Sequence, residues 1–492
     1  MQNNYSLKIG LFGIGLDAYW EQFDGLKERL EGYLNTVGNK LIGVGCGVSD
    51  VGNASKSHIP HPICINAGLV DTIDKAFAAG KLFRTEDVDL IFLYVTTYAL
   101  SSTVLPVVQR ANVPVIILNL APEAAIDYAH FNKMADRTQM TGEWLAHCSA
   151  CPVPEIANVF NRVGIKFHQI TGMLHDDPEC WNEVTEWIEA AKVKHIMAYY
   201  RMGAMGHYYS GMLDIYTDLT QQYAHFGGHI ELLEVEELAA FRREITEGEV
   251  ENRLTLFADT FDIQDDCPLE DLKSAAKTSV ALDKLVKKYQ LGSLAYFYKG
   301  TGNSENEEAI ASIILGNSLL TANGVPVAGE YEIKNAQAMK IMDSFGVGGS
   351  FTEYYAMDFK EDVILMGHDG PGHIAIAEGK TKVRPLKVFH GKVGKGVSVE
   401  MSVKNGAVTL LSVVEKKGGL MLLVAEGKSV AGPILEIGNT NSRYKFPIGA
   451  RRFVNEWNSH GPAHHCAVGV GHISSKIQKL GALLNMEVVK VC

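Results

Sequence analysis

Four histidines lie within the fourteen residues of "SHGPAHHCAVGVGH", which runs from Ser459 to His472 near the end of the sequence. Neutral imidazole is a common metal ligand and also serves in proton transfer, whereas a surface histidine needs no function. Adjacent side chains diverge, so at most one of His464 and His465 is expected to bind a given ion. The role of the segment therefore depends on which other side chains the fold brings to it.

Two further segments offer carboxylates and an imidazole. "EDVILMGHDGPGHIAIA" places His368 at the end of an apolar strand, and "VAGEYEIKNAQAMKIMD" places Glu330 directly after a glycine. The polar segment "GTGNSENEE" adds Glu305, Glu307 and Glu308. Oxygen and nitrogen donors together suit Mn²⁺ or a similar divalent ion. Taken singly, each residue is also consistent with a structural histidine, a helix cap or a solvated acidic turn.

The segment "GIGLDA", from Gly13 to Ala18, fits the loose dinucleotide-binding pattern G-x-G-x-x-A after a strand. In that pattern a bare backbone at the start of a helix approaches a phosphate. The following "GVGCGVSD" offers no clear acidic residue for a ribose. The pattern therefore favours a tight strand-to-helix turn, and we predict no nucleotide cofactor.

Composition restricts the class of protein. The 492 residues are 47% hydrophobic and 21% charged, which excludes wholesale disorder and indicates two or three domains. The net charge of −12, without a basic tract, argues against nucleic acid as a partner. We also expect no membrane span, since uninterrupted apolar runs are short. Scattered cysteines and an N-terminus without the pattern of a secretion signal predict a cytoplasmic location.

Elements in the first third of the sequence alternate between apolar strands and amphipathic helices. We predict strands at 7–15, 40–48, 88–97 and 113–120, with a helix at 19–34. Continuous apolar strands joined by helices are typical of a parallel sheet covered on both faces. In such sheets, ligands bind at the carboxyl ends of the strands.

A second α/β unit is predicted to begin near residue 176. The pattern indicates a strand leading to a loop at 193–203, a strand and the start of a helix at 229–241, a helix at 277–290 and a strand at 291–300. The acidic segment that follows is predicted to be a polar turn. The strands again precede loops that carry polar side chains.

The pattern of apolar and polar residues changes from about residue 376. Apolar and polar residues alternate between Asn-Gly and Gly-Gly turns, which predicts antiparallel hairpins in a small barrel or sandwich. The expected organisation is two α/β domains, 1–175 and 176–325, followed by a β-rich domain, 326–492.

Several segments resemble those of a known family. "GEYEIKNAQAMKIMD", "GGSFTEYYAMDF", "EDVILMGH" and "GPAHHCAV" occur in the order and near the spacing of the signature segments of L-arabinose isomerases. More loosely, the sequence is similar to the wider L-fucose/L-arabinose isomerase superfamily. This resemblance implies an α/β fold with two Rossmann-like parallel-sheet domains followed by a C-terminal antiparallel β-barrel domain, the L-fucose isomerase-like architecture.

The resemblance further implies a metal-dependent aldose–ketose isomerase that acts through an enediol with a glutamate acid/base pair. The implied ion is Mn²⁺, with Co²⁺ or Mg²⁺ as alternatives, held by two glutamates and two histidines. Glu330 and His368 match two of the family's ligands, and His465, or alternatively His464, matches a third. "YKGTGNSENEE" replaces the family's segment for the first glutamate, which we assign to Glu305, with Glu307 as the alternative.

The same family resemblance implies a monosaccharide substrate, whose identity the altered glutamate segment leaves open. Homo-oligomers, trimers or hexamers, with active sites shared between subunits, are also implied. Residues on loops at strand ends are expected to contact the sugar: Tyr19, Trp20, Arg201, His207, Lys299 and His464. Two alternatives remain open, a non-catalytic sugar-binding or regulatory protein and a nicotinamide-dependent dehydrogenase that relies on "GIGLDA".

Overall fold

The computed structural model of the chain describes residues 6–43, 61–300, 302–389, 392–393 and 395–492. These residues divide into two compact units, an N-terminal unit that ends at His195 and a C-terminal unit that begins at Ile196. Each unit contains its own sheets. The bounds of the three domains stay a prediction.

The N-terminal unit contains one five-stranded sheet, here called the N-terminal sheet. In chain order its elements are β1 (Lys8–Ile14), a 3₁₀ turn (Asp17–Tyr19), α1 (Leu26–Gly43), β2 (Ile63–Val70), α2 (Ile73–Glu86), β3 (Leu90–Tyr94), α3 (Ser101–Ala111), β4 (Val115–Ala121), α4 (Tyr128–Phe131), α5 (Arg137–His147), α6 (Val153–Val163), β5 (Phe167–Met173) and most of α7 (Pro178–Tyr199), whose last residues belong to the C-terminal unit. The strands pair in parallel in the order β2-β1-β3-β4-β5. This order is typical of doubly wound, flavodoxin-like sheets.

Most of the strands predicted in this unit are present. β1, β3 and β4 confirm the strands expected at 7–15, 88–97 and 113–120. β3 is buried along its whole length, as a central strand of a covered parallel sheet should be. Continuous apolar sequence was therefore a reliable signal for these strands.

The region between the first two strands differs from the sequence prediction. The helix expected at 19–34 begins only at Leu26 and runs to Gly43, because Leu34, Val37 and Leu41 continue its buried face at helical spacing. The strand expected at 40–48 is therefore wrong over residues 40–43. The rest of that segment lies outside the described residues.

The first part of the C-terminal unit is also α/β. Its elements are β6 (Arg201–Gly206), a 3₁₀ turn (Leu213–Ile215), α8 (Leu219–Phe226), β7 (His229–Leu233), α9 (Val235–Arg243), α10 (Glu247–Thr260), β8 (Asp262–Ile263), α11 (Leu269–Tyr289), β9 (Leu291–Phe297), α12 (Ser304–Ala311), α13 (Ile314–Ala322), β10 (Val327–Ala328) and α14 (Ile333–Ser344). Four of the strands form a parallel sheet, the central sheet, in the order β10-β9-β6-β7. The predictions at 229–241, 277–290 and 291–300 are confirmed.

Two predictions in this part are wrong. Residues 193–199 continue α7, since Val193 and Met197 are buried one helical turn apart, and the strand begins only at Arg201. The acidic segment is a helix, α12, and not a polar turn. It begins there because the Asn303 side chain accepts hydrogen bonds from the backbone N–H groups of Glu305 and Asn306.

The remaining elements are mainly antiparallel strands. They are β11 (Ser350–Asp358), β12 (Val363–His368), a 3₁₀ turn (Ile374–Ile376), β13 (Lys382–Pro385), β14 (Val388–Phe389), β15 (Lys392–Val393), β16 (Val397–Glu400), β17 (Gly406–Lys416), β18 (Gly419–Val430), β19 (Thr440–Lys445), α15 (Ala450–Ser459), β20 (His465–Val470), α16 (Ser474–Leu484) and β21 (Glu487–Lys490). β17 and β18 form a long hairpin that closes between Lys416 and Gly419. The antiparallel hairpins predicted from about residue 376 are confirmed.

The largest sheet of this unit, the C-terminal sheet, has the order β17-β20-β11-β12-β19-β18-β21. β17 also pairs with β18, so six antiparallel strands follow one another in a closed order, while β21 pairs in parallel with β18. Two small sheets, β16-β13-β8 and β14-β15, complete the unit. The chain is thus α/β, with two parallel sheets and a mixed C-terminal sheet.

Helix α14 connects the central sheet to the C-terminal sheet. It contacts β9 and β10 of the first and β17 and β20 of the second, and ten of its residues are buried. The chain enters this helix through the segment Gly329–Glu332, which is consequently fixed between the two sheets. Within the described part of the chain, no helix is both long and apolar enough to cross a lipid bilayer.

Candidate metal centre

Three of the predicted ligands come together from three separate elements. Glu330 follows β10, His368 is the last residue of β12, and His465 is the first residue of β20. Nε2 of His465 lies 3.6 Å from Oε2 of Glu330, and Nε2 of His368 lies 3.9 Å from Oε1 of the same carboxylate. The structure therefore places these three side chains around one point, although they are far apart in sequence.

An unusual backbone directs Glu330 to this point. Glu330 and Tyr331 both have left-handed φ angles, 58° and 63°, which cost about 1–2 kcal/mol for each residue that is not glycine. The backbone N–H of Tyr331 donates to the carbonyl of Tyr296 in β9, and that of Glu332 donates to the carbonyl of Gly329. Such strain is typical of functional sites, where surrounding structure holds the conformation.

Two atoms at the centre lack the partners that burial requires. Oε2 of Glu330 and Nε2 of His465 are both buried, and neither has a hydrogen-bond partner among the described residues. A buried polar atom left unpaired costs about 1–3 kcal/mol. Their separation of 3.6 Å would let one cation bind both atoms at about 2.1 Å. The donor set therefore fits a divalent metal ion.

The two histidine rings are held in orientations that suit metal binding. Nδ1 of His368 lies 2.6 Å from the carbonyl oxygen of Asp369, and Nδ1 of His465 lies 2.5 Å from Oε2 of Glu332. When Nδ1–H donates to these acceptors, each Nε2 keeps a free lone pair. Phe351 packs against both rings, with centroid distances of 4.4 and 4.3 Å.

Burial also keeps both rings uncharged. Removal from water lowers the pKa of His368 and of His465 to about 3 in each case. Burial raises the pKa of Glu332, whose side chain is 1% exposed, against the attraction of the Lys334 ammonium. Neutral imidazole is the form that binds a metal, so the environment of both histidines favours ligation.

His464 has a different environment from its neighbour. Its Nε2 lies 3.7 Å from Oε2 of Glu330, and together with His465 these side chains form a group close enough to share an ion. Although burial opposes the charge, the nearby carboxylates of Glu330 and Asp214 raise the pKa of His464 to about 9. A protonated imidazole has no free lone pair. The geometry alone admits either histidine, but the charge favours His465 as the ligand.

Glu353, which was not among the residues predicted from the sequence, lies beside His464. Glu353 on β11 pairs directly with His465 on β20 and with Gly367, the residue before His368, on β12. Its Oε2 lies 4.0 Å from Nε2 of His464. Residues directly opposite in an antiparallel sheet project to the same face, so Glu353 and His465 lie on one face of the C-terminal sheet.

The predicted first glutamate does not lie at this centre. Glu305 is on the first turn of α12, where its side chain is 56% exposed and pairs with Arg243 at 2.5 Å. Oε1 of Glu307 accepts a hydrogen bond from the backbone N–H of Gly302. The helix cap at Asn303 turns these acids toward the surface. No contact in the described residues supports either as a metal ligand.

Tyr19 and Trp20, the two predicted sugar contacts in the N-terminal unit, make contacts with other residues of the same unit. The indole N–H of Trp20 donates to the buried Asp71 at 2.9 Å, and Tyr19 lies edge-on to Trp20. A methyl group placed on Gly15 would lie 2.8 Å from the Trp20 ring. The "GIGLDA" turn is thus covered by Trp20, and no α-helix begins until Leu26. It lacks the open helix N-terminus that phosphate binding needs.

The remaining predicted contacts lie at opposite edges of the central sheet. His207 follows the carboxyl end of β6 and Lys299 that of β9, and the backbone N–H of Lys299 donates to Nε2 of His207 at 3.5 Å. Glu330 follows β10 at the same edge. Arg201 is the first residue of β6, because α7 extends to Tyr199, and therefore lies at the amino edge, away from Glu330.

Comparisons with known proteins relate the chain to sugar isomerases. Residues 348–487 match the L-arabinose isomerase C-terminal domain family. An L-arabinose isomerase from Nocardioides sp. is 22% identical over 354 residues, which cover 68% of this chain and 68% of that protein. A sulfoquinovose isomerase from Alkalicoccus urumqiensis is 25% identical over 177 residues, which cover 35% of this chain and 39% of that protein.

A solved structure gives a much weaker match. An ABC transporter solute-binding protein from Burkholderia multivorans is 11% identical, covering 66% of this chain and 97% of that chain, with a TM-score of 0.17. That score is too low to support any inference about the fold or the function. The matched family domain, by contrast, contains Glu353, His368 and His465. The chain is therefore similar to L-arabinose isomerases, and residues 348–487 match the C-terminal domain of that family.

Proposed function

We propose that this protein is a metal-dependent sugar isomerase that interconverts an aldose and a ketose. The observation that carries the proposal is the meeting of two unpaired buried atoms, Oε2 of Glu330 and Nε2 of His465. Similarity to two proteins named as isomerases supports the same reaction class. A non-catalytic sugar-binding protein has no need of a buried carboxylate and two imidazoles around one point.

The ligands of the proposed ion are Glu330, Glu353, His368 and His465. Two carboxylate oxygens and two imidazole nitrogens suit Mn²⁺, with Co²⁺ or Mg²⁺ as alternatives. When bound, such an ion polarises the sugar carbonyl and stabilises the negative charge that develops on oxygen. Glu353 thus takes the place that the sequence analysis gave to Glu305.

The residues of the chain move the protons in the proposed reaction. Conversion of an aldose to a ketose removes a proton from C2, delivers a proton to C1 and transfers a hydroxyl proton from O2 to O1, through an enediol. Glu330 and Glu353 are the proposed acid/base pair. His464, whose Nε2 faces both carboxylates, is a proposed donor to a substrate oxygen.

The finer features of the fold and assembly belong to this proposal. We interpret the closed order of six antiparallel strands as the β-barrel of an L-fucose isomerase-like fold, and both parallel sheets as its Rossmann-like domains. A cytoplasmic homo-oligomer, a trimer or hexamer with shared active sites, is part of the same proposal. Its partner is a monosaccharide.

The sugar itself is best found by assay, because the two relatives are named for different substrates. The experiment is a panel of pentoses, hexoses, 6-deoxy sugars and 6-sulfonated sugars, each incubated with the protein and Mn²⁺. We expect interconversion of at least one aldose–ketose pair, abolished by a chelator and restored by Mn²⁺. Calorimetric binding of a sugar without interconversion would instead identify a sugar-binding protein.

A further inference from the structure

The loop between β6 and α8, residues 207–218, leaves the same edge of the central sheet as Glu330. A short 3₁₀ turn, Leu213–Ile215, lies within it. Ile215 is fully buried and anchors the turn, whereas Leu213 is 75% exposed. Asp214, between them, is directed toward the candidate metal centre.

Asp214 makes two hydrogen bonds with one residue of that centre. Its Oδ2 accepts from the backbone N–H of His464 at 2.9 Å and lies 2.6 Å from Nδ1 of the same residue. The buried ammonium of Lys334, on α14, lies 2.5 Å from the main-chain carbonyl oxygen of Asp214. Lys334 on α14 thus holds the 3₁₀ turn in place, and Asp214 in this turn holds both the backbone and the ring of His464.

The consequence lies at the other side of the His464 ring. With Nδ1 held by Asp214, Nε2 faces the space between the two carboxylates, 3.7 Å from Glu330 and 4.0 Å from Glu353. Among the described residues, Asp214 is the partner of Nδ1. If Asp214 were replaced, the ring could rotate and carry Nε2 away from this space. The ring is held by a residue 250 positions away in sequence.

We propose that Asp214 is a positioning residue, which orients His464 toward the reacting part of the substrate without touching the metal ligands. This inference deepens the proposed isomerase function and rests on it. Residues that orient the groups of a metal site typically contribute about 10- to 100-fold to activity or metal affinity. Because Asp214 contacts His464 and no assigned ligand, the loss should fall on turnover and spare metal binding.

The same loop offers a matched control. Oγ1 of Thr217 lies 2.5 Å from Oε2 of Glu415 on β17, and the backbone N–H of Asp218 donates to the same carboxylate at 3.3 Å. This second attachment holds the loop without contacting His464. Thr217→Val removes the hydroxyl at nearly constant volume, so it weakens the loop's attachment and leaves the Asp214 contacts in place.

The kinetic experiment compares Asp214→Ala, Asp214→Asn and Thr217→Val in the manganese-loaded enzyme. We expect Asp214→Ala to lower kcat by about 10- to 100-fold with unchanged Mn²⁺ content. Asp214→Asn should keep most of the parental kcat, since the amide oxygen can accept the same two hydrogen bonds. Thr217→Val should keep the parental kcat. A parental kcat in Asp214→Ala, or an equal loss in Thr217→Val, would overturn the proposal.

A second readout separates this inference from the isomerase proposal. In protein labelled with ¹⁵N-histidine, the ring signals of His464 are identified by their loss in His464→Gln. We expect Asp214→Ala to shift the Nδ1 signal of His464 and Thr217→Val to leave it in place. If no sugar is converted but this shift occurs, the isomerase proposal fails and the positioning contact stands. An unshifted His464 signal in Asp214→Ala would refute the contact itself.

Discussion

Nε2 of His465 and Oε2 of Glu330 lie 3.6 Å apart in a buried setting, and neither atom has a hydrogen-bond partner among the residues that the structure describes. Both side chains are held in place. Glu332 contacts Nδ1 of the His465 ring, and the left-handed backbone at Glu330 sets the direction of its side chain. Two donor atoms held this way are preorganised for a cation.

Glu330→Gln should abolish metal binding and turnover while the protein stays folded. The amide keeps the size of the side chain but removes the negative charge that a divalent ion needs. The loss of metal affinity should exceed the roughly 10- to 100-fold typical of residues that only orient a ligand. Metal analysis after dialysis, together with circular dichroism, measures both effects. Full Mn²⁺ occupancy in the folded variant would contradict the assignment.

Glu353→Gln and Glu305→Gln form a matched pair that identifies the second carboxylate. We expect Glu353→Gln to lose metal and activity, because Glu353 lies directly opposite His465 in the sheet. Glu305→Gln should retain both and lose at most about 1 kcal/mol of stability, since its pairing with Arg243 is exposed. The reverse pattern would restore Glu305 as the ligand.

Glu332→Gln should weaken metal binding without abolishing it. The amide oxygen can still accept from Nδ1 of His465, but an amide cannot ionise. A cation bound by His465 would favour the ionised form of Glu332, which strengthens the imidazole as a donor, so an affinity loss of about 10- to 100-fold is expected in the variant. Glu332→Ala should be worse, because it leaves Nδ1 unpaired and removes about 1–3 kcal/mol of stability. Competition with a coloured chelator measures the affinity; equal values for all three proteins would show that Glu332 does not act on the metal.

The metal-free protein should lose stability as the pH falls below about 6.5. Burial lowers the pKa of His368 and His465 from 6.5 to about 3, so the unfolded chain binds protons in this window that the folded chain does not. The unfolding free energy then decreases by up to about 1.4 kcal/mol per pH unit for each ring. The raised pKa of Glu332 acts in the opposite direction over this range and offsets part of the decrease. Urea titrations between pH 7 and 5 measure this slope. His368→Gln should reduce the slope of unfolding free energy against pH by the contribution of one histidine. An unchanged slope in this variant would argue against a buried neutral His368.

The sequence predicted those parts of the fold whose signals are local. Continuous apolar runs identified β1, β3 and β4, and the alternation between Gly-Gly turns identified the hairpin of β17 and β18. The failures occurred where tertiary burial extended a helix, as at Leu41 in α1 and Met197 in α7. The apolar residues of these segments fit the spacing of a helix as well as that of a strand. Only packing against neighbouring elements decides which of the two forms.

The candidate site shows the same limit. Glu330, His368 and His465 stand at junctions with glycine nearby, and their types and resemblance to a family were sufficient to select them. Glu353 lies within a strand, where an acid normally indicates the solvent face, and only its pairing with β20 and β12 shows its place. Asp214 acts through a contact that spans 250 residues, for which the sequence carries no local signal.

Anomalous diffraction from crystals grown with Mn²⁺ would locate the ion that Glu330, His368 and His465 are proposed to bind. We expect one strong manganese peak within bonding distance of the Glu330 carboxylate and of Nε2 of both His368 and His465, with Glu353 as the fourth ligand. A manganese peak bound elsewhere on the chain, with these three side chains left without an ion, would contradict it.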